Sequence, residues 1–353
     1  MSGGPSIWIV TRKHPPSIGG MERLSFEVAR RLARERPVTL VRWGWTQAAL
    51  PLFVAWAACR LAVGLRRRRV KALLIGDPLL CALGRLAERR GVPVVVVAHG
   101  LDLTWPPALY QSYLRRFLRG PRRRFVAISR HVHDLLVARG IAPSDIETIP
   151  VGIDASRPAS PPVDHAAAPT LLFIGRLVAR KGAVWLAERV MPALVERCPG
   201  VRLVVIGDGP MRGALLRAAA RLPSAIEWIG AVDEPEKWRR LAACDAVVMP
   251  NIPRAGDVEG FGIVALEAGA AARPVFAADL EGLRDAVIAG CNGWRLPAGD
   301  VDAWCAALAD ALADRARLRD DGRRARECVL EHFAWDAIAR RYAALLDRVA
   351  THA

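Results

Sequence analysis

Two glutamates, Glu259 and Glu267, flank the run Gly260-Phe261-Gly262-Ile263-Val264-Ala265-Leu266. Ionised carboxylates accept hydrogen bonds from paired hydroxyls, so one can meet a sugar and the other a ribose. Gly260 and Gly262 permit close backbone approach. Good helix formers from Ile263 to Ala272 predict a helix whose first N–H groups face an anion. The backbone of Gly260, Phe261, Gly262, Ile263 and Val264 is therefore the expected phosphate contact. A second constellation is Gly175-Arg176 at the end of an apolar run, with Lys181-Gly182 five residues on. Arginine offers a planar fork and lysine a compact charge, which together suit a diphosphate. Helix starts and surface glutamates supply a plain structural alternative for both constellations. A third, Asp300-Val301-Asp302, has the spacing of a metal-binding D-x-D but opens a helical tail, where Asp caps the helix.

These residues need strand ends to hold them. In the first half, Ile7–Thr11, Val38–Trp43, Ala72–Ile75, Val92–Ala98 and Phe125–Ser129 are near-continuous apolar runs, as strands buried on both faces require. Helical stretches such as Glu22–Arg36 and Arg130–Arg139 alternate with them. Residues 156–169 are rich in Pro, Ser and Ala, without hydrophobic period, and read as a linker. The alternation then restarts at Thr170–Ile174, Val201–Ile206, Ile226–Ile229, Ala246–Met249 and Val275–Ala277. A wholly helical tail from Val301 to Val349 follows. The pattern predicts an α/β protein with two doubly wound units, 1–155 and 170–334, whose ligands lie at the carboxyl ends of strands and in a cleft between the units.

The 353 residues suffice for two cores. Residues 1–155 hold 25 Lys and Arg against 10 Asp and Glu, whereas residues 156–353 hold 26 against 25. The surplus is concentrated at Arg66-Arg67-Arg68-Arg69, Arg115-Arg116-Phe117 and Arg122-Arg123-Arg124-Phe125, and fits anionic lipid, a phosphorylated acceptor or nucleic acid. Leu50 to Leu65, with Phe53, Trp56 and Arg60, has the composition of a helix in a membrane interface. The uncharged stretch Trp43–Cys59 has 17 residues and contains Pro51, too little to span a bilayer. Nothing at the start reads as a signal peptide. Seven scattered cysteines without CxxC spacing predict reduced, mostly buried thiols and no zinc site.

Glu259 and Glu267 form an E-x7-E motif, and the chain resembles the retaining glycosyltransferases of family 4, which have the GT-B fold of two Rossmann-like domains. The resemblance also rests on Gly19-Gly20-Met21-Glu22-Arg23, His99-Gly100 with Asp102, Ile128-Ser129-Arg130, Val151-Gly152-Ile153-Asp154 and Gly207-Asp208-Gly209-Pro210, all in the family's order. It implies that Arg176 and Lys181 hold the diphosphate of a nucleotide-sugar donor, with Glu267 on the ribose and Glu259 on the transferred sugar. Gly19 and Gly20 would approach the phosphates from the other domain, and His99 would bond the donor sugar at the reaction centre. The family's outcome is retention, described as front-face attack in which the leaving phosphate takes the proton. No metal and no other cofactor is implied, since cations and helix dipoles balance the growing charge.

The implied activity is transfer of a hexose from a UDP- or GDP-sugar to a lipid-linked or phosphorylated acceptor in bacterial envelope synthesis. The N-terminal domain would bind the acceptor, a C-terminal helix near 335–353 would pack back on it, and the enzyme would sit peripherally on the cytoplasmic membrane face. A sugar synthase with a soluble acceptor is the alternative. A phosphorylase lacks its cofactor lysine, because the second half offers only Lys181 and Lys237. A nucleic-acid binder has none of its motifs here, so no nucleic-acid partner is expected, and a dehydrogenase would need a G-x-G-x-x-G after the first strand, which Gly19-Gly20 is not. Pro250-Asn251-Ile252-Pro253-Arg254 and Asp285 depart from the family pattern, and the first of these bears on the donor-sugar pocket and donor identity.

Overall fold

The computed structural model describes residues 5–17, 19–44, 49–154 and 168–351. The linker, read over 156–169, lies outside the described residues except for Ala168 and Pro169. Two compact units emerge: Met1–Gly152 together with Trp335–Ala353, and Ile153–Ala334.

The first unit holds six strands, β1 (Ser6–Thr11), β2 (Val38–Arg42), β3 (Val70–Ile75), β4 (Val94–Ala98), β5 (Arg123–Ala127) and β6 (Ile146–Thr148). They pair in parallel in the order β2-β1-β3-β4-β5-β6. The order reverses between β1 and β3, so the loops leaving those strands diverge and open a crevice at their carboxyl ends. The helix Trp335–Thr351 belongs to this unit. Its Asp336 pairs with Arg31 at 2.7 Å and its Asp347 with Arg36 at 2.8 Å.

The second unit repeats the plan with β7 (Thr170–Ile174), β8 (Arg202–Ile206), β9 (Ile226–Gly230), β10 (Ala246–Met249), β11 (Val275–Ala278) and β12 (Gly293–Leu296). The order is β12-β11-β10-β7-β8-β9. Here the reversal lies between β7 and β10, the strands that precede Arg176 and Glu259. The topology therefore brings together residues some eighty positions apart.

Several sequence expectations are corrected. Strands β6 and β12 escaped notice because both are sheet edges, only partly buried, and lack the continuous apolar run of a central strand. The tail is three helices, Val301–Ala313, Arg315–Phe333 and Trp335–Thr351, broken at Asp314 and Ala334. Asp314 accepts from the Arg317 N–H at 2.9 Å, and Asp300 caps the first of the three by accepting from Ala303 N–H at 3.0 Å. Ser129 is not strand but the cap of helix Arg130–Ala138. The helix begun by Ile263 ends at Ala270.

Not all seven cysteines are free thiols: Cys291 and Cys328 form a disulfide, with Cα atoms 5.8 Å apart. The turn before β12 folds against helix Arg315–Phe333, and a separation of 37 residues leaves no local spacing to read. Arg123, counted in a surface basic cluster, is buried and paired with Glu88 at 3.0 Å. The helix Leu50–Arg66 covers the first sheet through Phe53, Ala57, Leu61, Gly64 and Leu65. Its outer face leaves Leu52 74% and Trp56 46% exposed, with the Arg60 guanidinium 5.4 Å above the Trp56 ring. No helix among the described residues is long and apolar enough to cross a membrane.

One backbone contact locks the β7 loop to the β10 loop. Gly182 has φ +71, and a Cβ there would stand 1.8 Å from the Pro250 carbonyl oxygen. The Ile252 N–H reinforces the approach by donating to the Arg180 carbonyl at 2.8 Å. Gly182→Ala combines a left-handed backbone with a clash against main chain that cannot swing away. It is expected to lower the unfolding free energy by roughly 2–3 kcal/mol in denaturant titration. A loss below about 0.5 kcal/mol, the range of an ordinary surface substitution, would show that the approach is dispensable.

Candidate active site

In the second unit the short turn Ala179–Lys181 follows β7 and, held by Gly182, turns two cations toward the loop after β10. Glu259 receives them. Arg180 Nη1 donates to its Oε2 at 2.6 Å, Lys181 Nζ pairs with the same oxygen, and Asn251 Nδ2 donates to it at 3.0 Å. All three contacts converge on Oε2, which leaves Oε1 for another donor. Burial by itself would raise this carboxyl, but the charges and hydrogen bonds of Lys181, Arg180 and Asn251 overcome it and hold the pKa at about 2. Glu259 is thus an anion at any physiological pH. The other arm of Arg180 reaches Asp257, Nε to Oδ1, at 2.7 Å.

The Glu259 backbone is held as well. Its N–H donates to Glu281 Oε2 at 2.5 Å, and its carbonyl accepts from Gly282 N–H at 3.1 Å. Phe261 is buried with its ring 6.0 Å from that of Phe333, so the glycine-flanked loop is pinned through its aromatic side chain. Gly262 follows at φ +96 and starts the helix Ile263–Ala270. The N–H groups at Ile263 and Val264 have no acceptor within that helix and form its positive end. Glu267, buried in the second turn, pairs through Oε1 with Lys237 Nζ at 2.8 Å. Arg176 stands exposed at the end of β7 and takes part in neither ion pair. The structure therefore joins Lys181 to Glu259 and sets Glu267 on the adjoining helix.

The sequence reading missed Arg180, Lys237 and Glu281 as members of this arrangement, and had Asn251 only as part of a divergent segment bearing on donor identity. Arg180 adjoins Lys181, and its place in an Arg-Lys-Gly turn after a strand could have exposed it. The others reach the site from elements whose proximity only the sheet order reveals. Glu281 bonds the Glu259 backbone. Asn251 carries a further feature. Its Oδ1 is buried beside Glu259 without a hydrogen-bond partner, so it presents an acceptor to anything entering there.

The first unit gathers its polar residues at its own reversal point. His99 follows β4, is buried, and places Nε2 2.9 Å from the Gly76 carbonyl oxygen at the end of β3. A carbonyl oxygen only accepts, so Nε2 is the donor in that contact. The His99 backbone N–H donates to both oxygens of Asp102 at 3.0 Å. Burial pushes the Asp102 carboxyl up to about 6, against the opposing influence of His99. Arg12, just past β1, pairs with Asp77, just past β3, at 3.0 Å. Gly19 lies over Glu22, where a Cβ would come within 2.3 Å of Oε2, and Glu22 pairs with Lys13 at 3.1 Å. Gly20 is the first residue of the helix Gly20–Glu35.

Comparison with known proteins agrees with this architecture. The sequence model for glycosyl transferases group 1 matches residues 168–314, and that for glycosyltransferase family 4 matches residues 18–157. The chain is 30% identical over 282 residues to the GDP-mannose-dependent alpha-(1-6)-phosphatidylinositol monomannoside mannosyltransferase of Mycolicibacterium smegmatis, covering 76% of this chain and 74% of that protein. It is 26% identical to the GDP-mannose-dependent monoacylated alpha-(1-6)-phosphatidylinositol monomannoside mannosyltransferase of Corynebacterium glutamicum, over 98% of this chain and 99% of the relative. Among solved structures, sucrose-phosphate synthase from Thermosynechococcus elongatus superposes with a TM-score of 0.80 at 18% identity, over 99% of this chain and all of that one. Anabaena HepE in complex with UDP superposes at 0.75 and 18% identity, over 97% of this chain and 100% of that one. This chain belongs to glycosyltransferase family 4 and is a glycosyltransferase of the GT-B fold.

Proposed function

We propose that this enzyme transfers a hexose, with mannose from GDP-mannose the leading candidate, to a lipid-linked or phosphorylated acceptor in bacterial envelope glycan or glycolipid synthesis. The observation that carries the reading is the Lys181–Glu259 ion pair beside the start of helix Ile263–Ala270, with Glu267 one turn in. Cation, helix start and two carboxylates supply what a nucleoside diphosphate sugar presents: phosphate charge, ribose diol and sugar hydroxyls. Two relatives with GDP-mannose-dependent names favour guanosine as the base and a phosphoinositide-like acceptor.

In this proposal Lys181 and Arg176 hold the diphosphate together with the backbone of Gly260, Phe261, Gly262, Ile263 and Val264. Glu267 accepts from the ribose hydroxyls, and Glu259 Oε1 with Asn251 Oδ1 accepts from hydroxyls of the sugar. The bond from anomeric carbon to diphosphate oxygen breaks as the acceptor oxygen bonds to the same face. The acceptor proton passes to the departing phosphate. Charge grows on the diphosphate during that step, and preplaced cations and N–H groups stabilise it, so no metal ion is required. His99 and the Gly19-Gly20 backbone of the first unit take, in this proposal, the roles that the family resemblance implies for them.

The outer face of helix Leu50–Arg66, with Leu52 and Trp56 exposed beside Arg60, together with the exposed Arg66–Arg69 run at its end, supports peripheral attachment to the cytoplasmic face of an anionic membrane. Each nearby basic residue contributes about 1 kcal/mol of attraction to such a surface.

Thermal-shift titration tests the donor site. GDP at about 100 times its dissociation constant is expected to add roughly 2.7 kcal/mol of stability. UDP should give a smaller shift, and Lys181→Ala and Glu267→Ala should abolish the effect. A shift with neither nucleotide, or an unchanged shift in both variants, would overturn the assignment. For the membrane, co-sedimentation with phosphatidylserine-containing vesicles should weaken as salt rises and drop in Trp56→Glu. Equal binding to neutral vesicles would count against an electrostatic anchor.

A further inference from the structure

A second cluster of chemically active side chains lies in the same unit, outside the proposed donor site. The turn Ile288–Asn292 brings Cys291 to Cys328, which is buried in helix Arg315–Phe333. His332 follows Cys328 by four residues, the spacing that stacks two side chains on one helical face. The two sulfurs and a ring nitrogen of His332 all lie within 4.8 Å of one another. A tetrahedral zinc ion, with bonds of about 2.3 Å to sulfur and about 2.0 Å to nitrogen, spaces its ligand atoms roughly 3.5–3.8 Å apart. In the disulfide the two sulfurs are bonded to each other, so reduction has to let them part to that spacing, while the His332 ring nitrogen already lies within 4.8 Å of both. Cys328 is buried, Cys291 half-buried and His332 exposed, so a fourth position would open to water.

We propose that Cys291, Cys328 and His332 form a redox-gated site for a soft divalent cation of the zinc class, closed by the disulfide and opened by its reduction. A crevice of about 210 Å³ reaches Cys291, lined also by Arg317, Asp321 and Arg324, which gives a low-molecular-weight thiol a path to the sulfur. Its thiolate attacks one cysteine sulfur to form a mixed disulfide and frees the other as a thiol. A second thiol molecule then releases the first cysteine. Two thiol molecules leave joined as one disulfide, and both cysteines carry hydrogen. The cation then displaces the two thiol protons to water and accepts a lone pair from neutral His332.

The location gives the site a structural consequence for the donor-binding elements. Helix Arg315–Phe333 packs on helix Ile263–Ala270, where a Cβ at Gly269 would stand 2.5 Å from Val329 Cγ2. The segment leading to Cys291 starts at Glu281 and Gly282, which hold the Glu259 backbone. A disulfide or a bound ion ties these two supports together. Only the reduced, metal-free protein lacks the tie.

The test uses the full chain, reduced with a water-soluble phosphine, freed of it, and titrated with Co²⁺ without oxygen. The reduced protein should develop the visible bands of thiolate-ligated tetrahedral cobalt, saturate at one ion per chain, and lose the bands to Zn²⁺. The oxidised protein and Cys291→Ser should develop none. His332→Ala, an exposed position that leaves the core intact, should bind at least ~10-fold more weakly with altered bands. Zn²⁺ should raise the melting temperature of reduced wild type and not that of His332→Ala. Absence of bands after reduction, bands that persist in Cys291→Ser, or equal cobalt affinity in His332→Ala would each overturn the proposal.

Discussion

A buried anion needs a cation, and much of the second unit is arranged to satisfy that need at Glu259. Burial pushes this carboxyl up, and the charges of Lys181 and Arg180 reverse the push. Those cations reach it only because Gly182 lets the β7 loop touch the β10 loop. That touch in turn exists because the sheet reverses its strand order between β7 and β10. Arg180 is itself steadied by Asp257, and the Glu259 backbone by Glu281 and Gly282. Such a shell fixes the direction of Glu259 Oε1 before any ligand arrives, which is the preorganisation that electrostatic catalysis uses.

The central strands were legible because burial on both faces writes an unbroken apolar run, as in Val94–Ala98 and Thr170–Ile174. Two of the four edge strands were not, because Ile146–Thr148 and Gly293–Leu296 are short, only partly buried and carry no unbroken apolar run. Glu259, Glu267 and Lys181 were legible from residue type, glycine context and position after a strand. Asn251, Lys237 and Glu281 were not, since each is an ordinary polar residue whose meaning comes from a neighbour distant in sequence. The disulfide was illegible for the same reason. Cys291 and Cys328 are brought together by packing of a turn on a helix, and no local spacing records it.

The charge asymmetry along the chain was read correctly as a sum and too simply as a surface. Arg123 is spent inside, against Glu88 and the Leu118 carbonyl. Arg31, Arg36 and Arg348 bind the C-terminal helix Trp335–Thr351 through Asp336, Asp347 and Glu147. Part of the basic surplus of the first unit is therefore structural, and the part that remains outward includes Arg60 and Arg66–Arg69, beside exposed Trp56, and a second group at Arg115, Arg116, Arg119, Arg122 and Arg124. Helix Leu50–Arg66 also shows how one segment serves two ends: its inner face packs on Trp8 while its outer face keeps the composition of an interfacial helix.

The claim at the centre is that Lys181, set beside Glu259, recognises a pyrophosphate. Isothermal titration of GDP and GMP into wild type and Lys181→Met measures this most directly, because the two ligands differ by a single phosphate. The account predicts that GDP binds wild type more tightly than GMP by at least ~10-fold, and that the advantage disappears in Lys181→Met while GMP affinity is unchanged. Equal preference for GDP in both proteins would contradict it.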